Sequence, residues 1–199
     1  MLNVYLLRHG ETAYNADGNR YCGRTDIDLT EKGRQQANLV NNQLKGMFFD
    51  AVYSSPLKRA LYTAEIASGL KTIQTDVRLI EVDFGGWEGK TKEEFIEENA
   101  ILWTDWMNDP EYIRAGGTGE TAGNVVSRVD DFYKEMLGKY PQGNILVVGH
   151  NGINRLYLAY KLGMPLKHYR RIVQENSSIT MFTLDENGEL NLKLLNSNI

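Results

Sequence analysis

Two apolar runs set the frame of the chain. Val4–Leu7 and Ile145–Val148 are continuous rather than alternating, the pattern of strands buried on both faces at the centre of a parallel sheet. Between them the periodicity switches repeatedly from 2 to 3.6. Thr30 is placed to cap a helix reaching about Leu44, and "AVYSS" reads as a short strand. "PLKRALYTAEIASG" reads as a helix with Pro56 near its start and Gly69 at its stop. Gly119-Glu120-Thr121 precedes an amphipathic helix to about Leu137, Asn151–Leu162 predicts another, and the tail reads as a hairpin turning at Asn187-Gly188. This alternation predicts an α/β fold, a three-layer sandwich with a mainly parallel sheet flanked by helices. No repeat, low-complexity stretch or linker divides it, so residues 1–199 read as one domain.

Both apolar runs end alike. The first stops at Arg8-His9-Gly10 and the second, after Gly149, at His150-Asn151-Gly152, which accounts for two of the three histidines in the chain. In parallel sheets ligands bind beyond the carboxyl ends of the strands, so adjacent strands would bring both imidazoles into one pocket. Arg8 and His9 then form a cationic floor for an anion, and Gly10 and Gly152 are expected to let backbone N–H groups approach it. A neutral imidazole can attack phosphorus if cations neutralise the transferring oxygens. Arg59, early in its helix, can face the same edge. The proton donor this chemistry requires is sought in Glu81 and Asp83, set among Leu, Ile, Val and Phe in "RLIEVDFGGWEG".

Charge and cysteine content narrow the classes. A net charge of −4 argues against a broad nucleic-acid surface or an anionic-membrane surface, leaving only a focal anion site. No apolar run approaches a bilayer span and no export signal is evident, so a cytoplasmic location is expected; the single Cys22 fits a reducing compartment. Three other phosphate chemistries fare worse. "DIDLT" at Asp26 matches an aspartyl-phosphatase signature but follows "GNRYCGRT" rather than a buried strand. Asp28 stands where a cysteine phosphatase would place Arg after Cys22. No His-x-His or His-Glu-x-x-His pair supports a metal, with only His168 left over, so neither metal nor cofactor is expected.

Four segments, "LLRHGETAYN", "SSPLKRALYTAEI", "LIEVDFGGWEG" and "VVGHNG", resemble in order the signatures of the histidine phosphatase superfamily, also called phosphoglycerate mutase-like. The resemblance implies His9 as phosphorylated nucleophile, Arg8, Arg59 and His150 as phosphate clamp, and Glu81 as general acid and base. It also implies a substrate pocket lined by Asn15, the turn at Cys22-Gly23, and Asn151-Gly152. "GRTDIDLTEKGRQQA" and "EVDFGGWEGKT" are similar to the short bacterial branch of broad-specificity and alpha-ribazole phosphatases. The implied activity is hydrolysis of a small phosphorylated metabolite through phosphohistidine. The alternatives are mutase-type transfer and a catalytically silent phosphate-binding protein of the same fold. Mutases of the family carry paired arginines in an insertion where this chain has only Arg114. The loop Gly116-Gly117-Thr118-Gly119-Glu120-Thr121 departs from the branch's Pro-Gly-Gly-Glu-Ser.

Specificity is expected from residues 95–115, read as an insertion or lid. Trp103, Trp106 and Met107 share a helical face there; the aromatic side chains, Tyr112 among them, are expected to pack on the alcohol part of a substrate, and Arg114 to reach a second polar or anionic group. An apolar stripe of this kind equally suits core packing. Tyr21, Cys22 and Arg24 are the other specificity candidates.

Overall fold

A computed structural model of the chain describes residues 1–197. Asn198 and Ile199, the end of the domain expected from the sequence, lie outside the described residues. The elements are β1 (Leu2–Arg8), α1 (Ala13–Ala16), α2 (Glu31–Gln43), β2 (Ala51–Ser54), α3 (Lys58–Ser68), β3 (Gln74–Thr75), α4 (Lys92–Glu98), α5 (Ala100–Asn108), α6 (Ala122–Lys139), β4 (Asn144–Gly149), α7 (Asn151–Lys161), β5 (Ile179–Leu184) and β6 (Leu190–Ser197). Single 3-10 turns at Val77–Leu79, Gly85–Trp87 and Ala115–Gly117, and a longer one at Leu166–Arg171, fill the connections.

One six-stranded sheet runs in the order β3-β2-β4-β1-β5-β6. β1 and β4 are parallel neighbours, with Arg8 opposite Gly149. β2 and β3 continue the parallel half, and the expected C-terminal hairpin adds β5 antiparallel to β1 and β6 antiparallel to β5. The continuous apolar run of β4 has a direct cause. Ile145 and Val147 enter the core under α6 and α7, whereas Leu146 and Val148 enter the core under α2 and α3. Each strand residue is therefore covered on its own face, which makes three layers.

Local chemistry sets the helix ends. The Thr30 hydroxyl accepts the Gly33 N–H at 3.0 Å, starting α2, and Gly69 closes α3 at φ 70° in the left-handed region. Thr121 caps α6 by accepting the Asn124 N–H at 3.2 Å. The Asp26 carboxylate accepts the Lys58 N–H at 2.8 Å, so "DIDLT" supplies the start of α3 rather than a nucleophile. Among the described residues no helix is long and apolar enough to cross a membrane.

The insertion is built differently from the expectation. Asn99 breaks it into α4 and α5 and caps the second by accepting the Leu102 N–H at 3.0 Å. Phe95 and Trp106 are buried, and the Trp87 and Phe95 rings stack at 4.8 Å. Trp106 of the stripe is thus core, while Trp103 and Met107 are half-buried. Gly116 is wedged in place: a Cβ there would run into the Phe84 carbonyl and lie 2.5 Å from the Gly86 nitrogen.

Candidate active site

His9 and His150 meet because their strands are neighbours. The His9 N–H continues the ladder to the Gly149 carbonyl at 3.1 Å, so the two side chains leave adjacent strand ends together, with ring centroids 5.2 Å apart. Both are buried. His9 donates from Nδ1 to the Gly10 carbonyl at 2.7 Å; assigning the proton there leaves the Nε2 lone pair for chemistry. Burial first, then the charges of Arg59 and Arg8, hold the His9 pKa well below its ordinary value; burial, Arg59 and the neighbouring His9 do the same for His150. Both imidazoles are neutral at neutral pH.

Arg8 is held from the loop before β5. Its guanidinium donates to the Gln174 carbonyl at 3.0 Å, and burial pulls its pKa down to about 10. Asn176 Nδ2 donates to the His9 carbonyl at 3.0 Å, and the Ser177 N–H to the Arg8 carbonyl at 3.0 Å. Arg59 is fully buried and gripped by a loop, donating to the carbonyls of Thr25 at 2.7 Å, Gly23 at 2.8 Å and Cys22 at 3.1 Å. Glu88 holds that loop in turn, accepting the Gly23 and Thr25 N–H groups at 3.0 Å. The Nε atoms of Arg8 and Arg59 and both ring nitrogens of His150 are buried with no hydrogen-bond partner among the described residues. Such orphaned donors are rare in folded proteins and cluster where a ligand is bound.

Glu81 is fixed by three N–H groups. Oε1 accepts from Val82 at 2.9 Å and Ile153 at 3.1 Å, and Oε2 from Gly152 at 2.9 Å. The carboxylate therefore caps α7, tying the glutamate segment to the start of the helix that His150 introduces. Two sequence expectations are corrected here. The Gly152 N–H goes to Glu81, and the Gly10 N–H goes to the Thr63 hydroxyl at 2.9 Å, so neither cradles an anion. Their glycines serve close packing: a Cβ would stand 2.5 Å from the Gly33 carbonyl oxygen at Gly10, and 2.6 Å from Glu81 Oε1 at Gly152. Asp83 is occupied too, its carboxylate accepting the Gly85 N–H at 2.9 Å.

A cavity of about 560 Å³ opens over these groups. Arg8, His9, Glu81, Asn15, Tyr21, Cys22, Asn151 and Gly152 line it, with Arg59 and His150 fully buried. Gly23 is absent from the wall; it shapes the site through Arg59 and Glu88. Burial raises the Cys22 thiol to about 11, so it is a packing group and not a thiolate. Three specificity candidates are not where the sequence placed them. Tyr112 is 74% exposed. Arg114 donates to the Gly119 carbonyl at 2.9 Å, and Arg24 pairs with Glu120 at 3.0 Å; none of the three lines the cavity. Local fold chemistry claims them first. Sequence reasoning missed Arg155, Tyr169 and Arg170, which line the far wall. Arg155 had a legible signal, since it follows Asn151 by one helical turn.

Comparison with known proteins agrees with the geometry. The sequence profile of the Histidine phosphatase superfamily (branch 1) matches residues 4–198. The chain belongs to the histidine phosphatase superfamily. It is 34% identical over 197 residues to Phosphoserine phosphatase 1 of Hydrogenobacter thermophilus, covering 98% of this chain and 92% of that one. It is 34% identical over 175 residues to the Adenosylcobalamin/alpha-ribazole phosphatase of Escherichia coli, covering 85% of each. A phosphoserine phosphatase mutant from Entamoeba histolytica, solved in complex with phosphoserine, superposes with a TM-score of 0.90 at 32% identity, over 100% of this chain and 98% of that one. The histidine phosphatase is thus an enzyme of the phosphatase class, with the phosphoglycerate mutase-like fold and the short-branch kinship that the motifs implied.

Proposed function

We propose that this histidine phosphatase is a metal-independent phosphomonoesterase that hydrolyses a small phosphorylated metabolite through a phosphohistidine on His9. The observation that carries it is the group of unpartnered buried donors on Arg8, Arg59 and His150 around a neutral His9. A phosphoryl group brings three anionic oxygens, the acceptors these donors need.

The His9 Nε2 lone pair attacks phosphorus while the ester P–O bond breaks. The imidazole becomes cationic on transfer, and Nδ1–H donation to Gly10 stabilises it and keeps the ring aimed. Arg8 and Arg59 neutralise the spreading charge of the transferring group, and neutral His150 donates a ring N–H to one of its oxygens. The departing alkoxide takes a proton from Glu81. Oε2 accepts only one N–H, from Gly152, and so keeps a lone pair for that proton. Water then attacks the phosphohistidine, giving up a proton to Glu81, and releases inorganic phosphate.

His9→Ala should abolish turnover of a small alkyl phosphate while the variant keeps its fold, and EDTA should leave the wild-type rate unchanged. Full activity in His9→Ala would overturn the nucleophile assignment. Loss of activity in EDTA that returns with a divalent metal would overturn the metal-independent route.

A further inference from the structure

Beyond the phosphate clamp the cavity carries a second cationic group that the phosphoryl chemistry does not use. Arg155, on α7, and Arg170, in the Leu166–Arg171 turn, both line the wall. Each guanidinium lies 5.0 Å from the Tyr169 ring centroid, and Arg170 also lies 4.7 Å from that of Trp103. Both Nε atoms are buried without a hydrogen-bond partner among the described residues. Two like charges pressed on one ring repel each other, and aromatic faces repay only part of that cost.

One neighbouring cation is treated differently. Arg20, on the same wall, is paired to Asp17 at 2.6 Å and Glu94 at 2.7 Å. Glu93 also lines the cavity, yet among the described residues no ion pair joins a carboxylate to Arg155 or Arg170. A pair of planar guanidiniums without a protein counter-ion, opening on a substrate cavity, is suited to bidentate recognition of a carboxylate.

Spacing sets the size of the ligand. His150 introduces α7, and Asn151 and Arg155 line the cavity four residues apart, about 6 Å along the axis. A three-carbon chain spans that distance. We infer that Arg155 and Arg170 form a second anion subsite, which selects phosphomonoesters of a short acid with its carboxylate a few bonds from the phosphoryl oxygen. This rests on the phosphatase reading and narrows its substrate class. The Entamoeba histolytica enzyme structures in complex with phosphoserine and with 3-phosphoglyceric acid show neighbours of this fold holding ligands of that description.

The test compares matched esters differing only at the carboxylate: phosphoserine against phosphoethanolamine, and 3-phosphoglycerate against glycerol 3-phosphate. In wild type the ratio of kcat/KM within each pair should favour the acid. Arg155→Gln and Arg170→Gln should each lower that ratio roughly 10–100-fold, the worth of a charge-assisted hydrogen bond, with Arg→Lys recovering part of it. A merely structural role would depress both members of a pair together and leave the ratio unchanged, which overturns the subsite. If one variant fails to fold, the other decides. If wild type turns over no ester at all, the phosphatase reading fails separately. Calorimetric binding of phosphoserine and phosphoethanolamine to the His9→Ala protein then decides the subsite, and equal affinities overturn it.

Discussion

Replacing Glu81 by Gln separates two roles that one side chain holds. The carboxylate has two acceptor oxygens serving three backbone donors, Val82 and Ile153 on Oε1 and Gly152 on Oε2. The amide has one oxygen. Seated at the Oε1 position it keeps two donors but points its NH2 at the Gly152 N–H; turned over, it orphans two donors instead. At least one buried N–H is left unpaired and the charge assistance is lost, which costs about 1–3 kcal/mol. For a chain of this length that is about 2–12 °C in Tm. The catalytic role adds a second signature. A general acid is worth roughly 10²–10⁴-fold on an alkyl ester and much less on 4-nitrophenyl phosphate, whose leaving group needs no proton. Glu81→Gln should therefore lower Tm in a thermal melt and reduce alkyl phosphate turnover far more than aryl turnover. An unchanged Tm would refute the capping argument. Equal losses on both esters would leave Glu81 a positioning residue for α7 and His150.

Three further outcomes follow from the same contacts. Because burial depresses both His9 and His150, the unfolded chain binds more protons below pH 6.5, so their contribution to stability is complete above about pH 6.5. It is lost as pH falls from there towards the folded pKa values, at up to about 1.4 kcal/mol per pH unit per histidine. Urea midpoints from pH 7.5 to 5.5 should show this slope, and a His9→Ala, His150→Ala protein with the same slope would contradict it. Glu88→Ala releases the loop whose carbonyls grip Arg59, so kcat on every phosphate ester should fall while Arg59 itself is untouched; unaltered kinetics would mean the loop is held by other contacts. Gly10→Ala drives a methyl into the Gly33 carbonyl and should cost about 1–3 kcal/mol by denaturant titration, whereas a neutral result would show that α2 can withdraw.

The strand ends were the most legible part of the chain, because a buried parallel strand writes itself as a continuous apolar run. The residue that breaks it must face the functional edge. That logic alone placed Arg8, His9 and His150 together. The aromatic content of residues 95–115 was legible as well, but not its use: Trp106 and Phe95 are indistinguishable in sequence from pocket aromatics, and only packing shows them to be core. Arg114 and Arg155 illustrate the remaining limit. Each is an arginine near a motif; one is claimed by the Gly119 carbonyl five residues along the loop, the other lines the cavity. Local hydrogen bonding chose between them, and no periodicity records it. Likewise Gly10 and Gly152 announce a close backbone approach without saying that the approaching groups are Gly33 and Glu81.

The central claim is that the phosphoryl group passes through His9. Rapid mixing of the enzyme with a phosphorus-labelled ester, quenching parallel samples in alkali, which preserves phosphohistidine, and in acid, which preserves an aspartyl phosphate, and mapping the labelled peptide tests it directly. The account predicts an acid-labile, alkali-stable phosphate on the peptide carrying His9, formed no more slowly than turnover and absent in His9→Ala. Label on Asp26, or steady turnover with no covalent phosphate under conditions where the second step is slow, would contradict it.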